Sequence, residues 1–419
     1  MISSSLAAIL GLALAIFLII KKVSPVYSLI LGALAGGLLG SASLVQTISD
    51  MFDGVKSITP AVLRIIAAGV LSGALIKSGA AESISESIIK RLGSRFVFLS
   101  LALATMILCA VGVFVDVAVI TVAPIALSLA SRLRLSRSQL LLALIGGGKC
   151  GNIISPNPNT IIAAENYDAP LASVMAAGML PALVGLFVTV FLIVPLLRTR
   201  TDICTSDDSS AAKSASSLPS FWASMAGPLS AVLILALRPL FGIVIDPLVA
   251  LPAGGLVTLL ATGSVRKIRE SLDYGLSKMA PVAVLLIGTG TLAGVIAASD
   301  MKDVVIGWLG HWNVSGTLMA PLSGALMCAA TASTTAGATI ASASFADAIS
   351  ATGLAGVWGA ALTNSGATVL DHLPHGSFFH ATAGSVYMPF KERLRLIPFE
   401  SLVGLTLTLS SILCSLVFA

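Results

Sequence analysis

Two stretches gather most of the side chains that could hold a small solute or ion. The first is Gly146-Gly-Gly-Lys149-Cys-Gly-Asn152-Ile-Ile-Ser155-Pro-Asn157-Pro-Asn159-Thr160. The second is Ala361-Leu-Thr363-Asn364-Ser365-Gly-Ala-Thr368-Val-Leu-Asp371-His372-Leu-Pro374-His375. Each interrupts a long apolar run. Pro156 and Pro158 have no backbone N–H, so a helix must open there. Inside a bilayer such an opening is tolerated only where it lines a cavity or is buried in protein. Amides freed at a half-helix N-terminus favour a carboxylate, and Lys149 could supply the counter-charge; alternatively Lys149 pairs with Asp116 or Asp371. Lys149, Asn152, Ser155, Asn157, Asn159 and Thr160 are therefore candidate substrate contacts, joined by Asn364 and Ser365 from the second stretch.

Asp371, His372 and His375 suit ion coupling, because histidine changes charge near neutral pH. Three of the four histidines (His372, His375 and His380) fall in this one region. The Asp-His-x-Pro-His spacing is poor for a metal, since three ligands in one Pro-containing stretch rarely close a tetrahedron. No metal and no cofactor is assigned. Asp116, in Val111-Gly-Val-Phe-Val-Asp116-Val, is an ionisable group in apolar sequence and a candidate for ion coupling; the competing reading is a helix cap at a hairpin turn. The equivalent stretch of the second half is Thr331-Ala-Ser333-Thr334-Thr335. Thr331 is taken as an ion ligand and Ser333 and Thr334 as substrate contacts, against close helix packing as the alternative.

These segments need a membrane-spanning frame to hold them. The chain has 419 residues, 56% hydrophobic and 10% charged, where a soluble domain is about 25% charged. Apolar runs long enough to span recur throughout, which indicates an all-α polytopic membrane protein of about 12 spans. They cover roughly 4–20, 24–42, 58–77, 96–114, 138–164 (broken), 171–197, 219–237, 247–263, 279–298, 314–329, 354–386 (broken) and 399–419. The pieces 115–131 and 330–350 read as re-entrant hairpins or half-helices. Five cysteines without regular spacing give no disulfide framework.

The net charge of +5 does not point to nucleic acid, because it sits in short loops. Six clusters hold most of the Lys and Arg: Lys21/Lys22, Lys90/Arg91/Arg95, Arg132/Arg134/Arg137, Arg198/Arg200/Lys213, Arg266/Lys267/Arg269 and Lys391/Arg393/Arg395. All six can share one side, cytoplasmic by the positive-inside rule, with both termini outside. Arg64 is expected to snorkel to the outer interface, and 80–92 to form an amphipathic helix on the cytoplasmic interface.

A polar linker, 198–218, separates an N-terminal half, 1–197, from a C-terminal half, 219–419. The halves match in order. Ser24-Pro25 corresponds to Asp246-Pro247, Gly69-Val-Leu71-Ser-Gly73 to Gly290-Thr-Leu292-Ala-Gly294, and Arg91-Leu-Gly93 to Trp308-Leu-Gly310. The two breaks follow, then Leu183-Val-Gly185 and Leu402-Val-Gly404. Equivalent spans run in opposite senses, so the repeat is read as inverted, and paired breaks at matching positions mark a transporter binding site.

On Ser24-Pro25-Val-Tyr-Ser-Leu29, the run Gly73 to Ala81, the Gly-Gly-Gly and Pro-rich break, and Leu-Asp371-His-Leu-Pro-His375-Gly, the chain resembles the gluconate permease (GntP) family of organic-acid transporters, within the wider ion-transporter superfamily. His372 and Gly376-Ser377 depart from a family form that reads Leu-Asp-Thr-Leu-Pro-His-Asn-Gly. The resemblance implies an inner-membrane, ion-coupled symporter, usually proton-driven though Na⁺ remains open, for a small hydroxy or sugar acid. It also implies a homodimer, and hairpins that meet the broken helices near the midplane. The alternatives are a cation/proton antiporter using Asp116 and Asp371, an intramembrane protease pairing Ser365 with a histidine, or a structural subunit, in which the breaks would have no purpose.

Overall fold

The computed structural model describes residues 3–93, 96–197, 203–204, 218–300, 315–374 and 376–418. His375, Trp308-Leu-Gly310 and nearly all of the 198–218 linker lie outside the described residues. The described chain is helical: α1 (Ser4–Ile20), α2 (Pro25–Leu39), α3 (Leu44–Lys77), α4 (Ala80–Leu92), α5 (Val97–Ala110), α6 (Val115–Leu133), α7 (Arg137–Asn152), α8 (Pro158–Asn166), α9 (Leu171–Leu196), α10 (Phe221–Phe241), α11 (Pro247–Ala261), α12 (Ile268–Ala297), α13 (Gly316–Thr331), α14 (Thr334–Ser350), α15 (Gly356–Gly366), α16 (Ser377–Ser385) and α17 (Phe390–Phe418).

The long helices α3 and α12 form the spine. They run antiparallel, with Gly54 against Gly290 and Gly73 against Ser271. A Cβ on Gly54 would stand 2.1 Å from the Gly290 carbonyl oxygen, so the backbones touch. Small residues at such a contact are how membrane helices approach closely when burial from water gives no drive. Both helices start earlier than hydropathy alone suggests, at Leu44 and Ile268, because polar turns such as Gln46 to Lys56 continue the helix beyond the apolar stretch.

The expected spans 96–114 and 314–329 turn out to be first arms of hairpins. Helix α5 has 14 residues, a rise of about 21 Å, short of the ~30 Å hydrocarbon layer. It turns at Val111–Phe114 into α6, and α13 turns at Ala332–Ser333 into α14. Both breaks exist. Helix α7 stops at Asn152 and α8 restarts at Pro158, capped by Asn157 Oδ1 accepting the Thr160 N–H at 3.1 Å. Helix α15 stops at Gly366, and α16 begins at Ser377.

Contacts between basic segments gather them at one end. Lys267 Nζ donates to the Lys77 carbonyl at 3.0 Å, the Arg91 guanidinium covers the Phe221 ring, and Arg137 donates to the Tyr387 carbonyl at 3.0 Å. At the opposite end Ser4 Oγ donates to Asp300 Oδ2 at 2.6 Å. Helix α4 departs from a simple surface helix. Its face of Ala80, Ala81, Ile84 and Ile89 is buried, and Ser83 Oγ donates to the Pro219 carbonyl, because α5 and α10 cover it. Leucines of α9, α10 and α17, such as Leu183, Leu233 and Leu413, are exposed.

Arg64 does not snorkel freely. It ion-pairs with Glu165 at the end of α8, and forks onto Asp246 with NH2–Oδ2 at 2.7 Å and Nε–Oδ1 at 3.0 Å. That hydrogen-bonded guanidinium holds the Asp246 carboxyl below its ordinary range, against a smaller opposing effect of burial, with help from the Leu248 N–H. A depressed folded value adds stability above the ordinary carboxylate pKa and loses it as pH falls through the folded value. Asp246→Asn should therefore lower the melting temperature at pH 7, by a contribution of no more than about 1 kcal/mol for this half-exposed pair. The gap from the parent protein should close as pH falls below 4, measured by thermal unfolding in detergent.

Candidate functional site

Both hairpin tips and both breaks face one cavity of about 900 Å³. Phe114, Val115 and Asp116 come from the first tip, and Thr331, Ser333 and Thr334 from the second. Asn152 comes from the first break, and Asp371 and Ser377 from the second. The opposite wall is Ser24, Pro25 and Val26 at the start of α2, together with Ser277, Lys278 and Pro281 of α12.

Behind the cavity lies a buried charge network. Lys149 Nζ stands 2.6 Å from Asp371 Oδ1, with the two side chains 1% and 5% exposed. Lys149 also donates to the Thr368 carbonyl at 2.7 Å and lies 3.0 Å from His372 Nδ1. The second Asp371 oxygen accepts from Thr334 Oγ1 at 2.8 Å, which ties the break to the second hairpin tip. His372 Nε2 is 2.9 Å from the Ile397 carbonyl and 3.1 Å from Ser401 Oγ. Glu400 Oε2 lies 3.9 Å from His372 Nδ1, and Glu400 pairs with Arg393. Arg393 is fully buried, donating also to Thr382 Oγ1 at 3.2 Å and lying over the Phe379 ring. Two cations and two carboxylates thus balance when His372 is neutral. In that state Nε2–H donates to Ile397 and Nδ1 accepts from Lys149. A second proton on His372 would make Nδ1 a donor to Asp371 Oδ1, 3.1 Å away, in competition with Lys149.

A neutral network joins the two breaks directly. Asn159 Nδ2 donates to Asn364 Oδ1 at 2.7 Å, Asn364 Nδ2 donates to Thr160 Oγ1 at 3.1 Å, and Thr160 Oγ1 donates to Asn157 Oδ1 at 3.0 Å. Asn157 Nδ2 bonds Asn152, and Tyr167 and Thr363 share a hydroxyl contact at 2.9 Å.

The sequence candidates therefore fall into three settings. Asp116, Asn152, Thr331, Ser333, Thr334 and Asp371 line the cavity. Lys149 and His372 are buried behind it, and Asn157, Asn159, Thr160 and Asn364 stitch the breaks. Ser365 Oγ donates to its own helix at the Leu362 carbonyl, while Ser155 Oγ is buried without a hydrogen-bond partner among the described residues. Asp116 is one turn-residue inside α6 rather than its cap, with Oδ1 accepting from the Val117 N–H. Glu400, Arg393 and Lys278 were not legible as site residues. Glu400 sits in Leu396-Ile-Pro-Phe-Glu400-Ser-Leu-Val, near the start of its apolar run, where the rule that singles out Asp116 reaches it with less force. Arg393 reads as a loop charge in sequence because it stands between Lys391 and Arg395.

Re-entrant hairpins and broken helices that bring charged and hydroxyl side chains to one cavity, among apolar helices, define a membrane transporter. The chain belongs to the GntP permease family: the description "GntP family permease" matches residues 4–414. It is accordingly a multi-pass inner-membrane permease and not an enzyme. It is 54% identical over 415 residues to an uncharacterized transporter of Haemophilus influenzae, covering 99% of each chain. It is 24% identical over 404 residues to the high-affinity gluconate transporter of Escherichia coli, covering 88% of this chain and 89% of that one. Among solved structures, the Alcanivorax borkumensis YdaH transporter, described as having an unusual topology, shares the fold. Its TM-score is 0.61 at 18% identity, over 90% of this chain and 88% of that one.

Proposed function

We propose that this permease is a secondary active symporter that carries a small organic anion, a hydroxy or sugar acid, together with a proton. The carrying observation is the convergence of two hairpin tips and two helix breaks on one cavity backed by the Lys149–Asp371–His372 cluster. A relative named for gluconate supports an anionic substrate of that class. The two halves are read as oppositely oriented repeats, a relation supported by the antiparallel packing of α3 and α12. The basic end is read as cytoplasmic, and the cavity lies toward it, beside Ser24 and Pro25, which follow Lys21 and Lys22.

Coupling follows from charge balance. With His372 neutral, Lys149 neutralises Asp371. A proton on His372 lets the imidazolium take Asp371 Oδ1, adds one positive charge to the cluster, and favours an anion in the adjoining cavity. Thr334, held by the other Asp371 oxygen, transmits that change to the hairpin tip. Three groups face His372 and set its response: Lys149, Asp371 and Glu400.

The test is uptake of labelled D-gluconate and a panel of small carboxylates into proteoliposomes under an imposed H⁺ or Na⁺ gradient. Uptake is expected to follow the H⁺ gradient. His372→Gln should keep thermal stabilisation by the carboxylate yet take it up no faster with the gradient than without it. Uptake driven only by Na⁺ would overturn the proton assignment. Cation exchange without any carboxylate would favour an antiporter, the reading for which Asp116, half-buried in the cavity, is the supporting observation.

A further inference from the structure

A second, smaller pocket of about 400 Å³ lies near the opposite end, where α3 meets the start of α11. Its α3 lining is Lys56, Thr59, Pro60, Leu63 and Arg64. The α12 wall of the large cavity includes Ser277, Ala280, Pro281, Val284 and Leu285. One constant offset in sequence carries each residue of the first set onto its counterpart in the second. The same offset carries Gly69 onto Gly290 and Gly73 onto Gly294, the glycines that match the two halves. Because α3 and α12 run antiparallel, the small pocket is the cavity's wall presented to the other side of the membrane.

The two differ in what faces that wall. The hairpin tips and breaks face the α12 side. Among the described residues, the lining of the small pocket comes only from α3 and from Asp246 and Leu248. They also differ at one matched position. Leu285 on the cavity side is apolar, whereas Arg64 binds Asp246, within the α3–α11 wall, and Glu165, on the broken helix α7–α8. The Glu165 contact is therefore a bond between the wall and the element that carries the site. Each wall also brings one lysine without an ion pair among the described residues, Lys56 beside Ser57 and Lys278 beside Ser277.

We propose that the pocket between α3 and α11 is the outer entrance for a small carboxylate, with Lys56 and Arg64 as its cations, and that the Arg64–Glu165 pair latches it shut in this conformation. The inference rests on the transport reading above. Breaking the latch frees the Nη1 side of Arg64 for an incoming carboxylate, a charge-assisted contact, while Nε and Nη2 stay on Asp246, and lets α8 leave the α3 wall.

The test uses Thr335→Cys, at the second hairpin tip, in a background with the five cysteines replaced by alanine. It is labelled by an impermeant thiol reagent in inside-out and right-side-out vesicles, and only protein that elutes as folded is scored. The parent should label from the cytoplasmic face. Glu165→Gln and Arg64→Gln should each raise external labelling about fivefold or more, the scale of a modest coupling free energy, and lower cytoplasmic labelling. Glu165→Asp should retain the parent sidedness, as should Asp246→Asn, which breaks only a contact within the wall. Unchanged sidedness in both Glu165→Gln and Arg64→Gln would overturn the latch, as would an equal shift in Asp246→Asn. External labelling of the parent would instead overturn the membrane orientation, a separate failure.

Discussion

Lys149→Met should abolish transport and sharply reduce thermal stability. The substitution leaves Asp371, 5% exposed, with an imidazole and one threonine hydroxyl but no permanent cation. Removing one partner of a buried pair costs about 3–5 kcal/mol, because the remaining charge is neither solvated nor neutralised. Asp371→Asn should do the same from the other side, stranding the Lys149 ammonium against the Thr368 carbonyl. The double variant Lys149→Met/Asp371→Leu separates structure from function. Two apolar residues of suitable volume can replace a buried pair with little loss, so it should recover most of the melting temperature and none of the coupled uptake. Recovery of uptake in the double variant would show that the pair serves packing alone. Melting curves in detergent and uptake in proteoliposomes read the two effects separately.

Gly147→Val should be comparably severe for a different reason. A Cβ at Gly147 would lie 2.0 Å from the Ala102 carbonyl oxygen, where α7 crosses α5. That neighbour is backbone, so the first hairpin must move as a body and take Phe114 to Asp116 away from the cavity. Overpacking typically costs about 1–3 kcal/mol, and more where nothing can yield. Loss of the folded species on size exclusion is expected, with no carboxylate stabilisation in whatever folds. Gly146→Ala is the control. Its Cβ would meet the Thr189 methyl at 2.4 Å, a side chain that can rotate, so the variant should retain activity at lowered stability. The second half repeats the device: a Cβ on Gly366 would stand 2.1 Å from the Pro321 carbonyl oxygen, between α15 and α13. Each hairpin is thus locked to its broken helix through backbone contact.

The same glycines are visible in sequence but mute there. Gly146-Gly-Gly reads as a weak point in a helix, whereas in the fold it is continuous α7 whose missing side chains admit a neighbour. The positions of the breaks are legible because their cause is local: Pro156 and Pro158 lack an N–H, and Asn157 caps whatever helix follows. The hairpin arms read as full spans in sequence, because 96–114 is apolar throughout and hydropathy does not register a turn at Gly112, where φ is +102°. Asp116 and Asp371 stood out as charges in apolar surroundings. Glu400 escaped because it lies near the edge of its apolar run, and Arg393 because orientation rules count a loop cation without asking whether it is solvated.

By itself the sequence determined that this is a polytopic helical protein with a polar interruption in each half, since proline, apolar length and isolated charge act within a few residues. Only the tertiary structure decided that Lys149 belongs to Asp371, Arg64 to Glu165 and Asp246, and Glu400 to Arg393. Most of those partners are scores to hundreds of residues apart along the chain. For the pairs that join different helices, which cation reaches which carboxylate depends on how the helices cross, and the crossings are set by backbone contacts that only the assembled fold brings together.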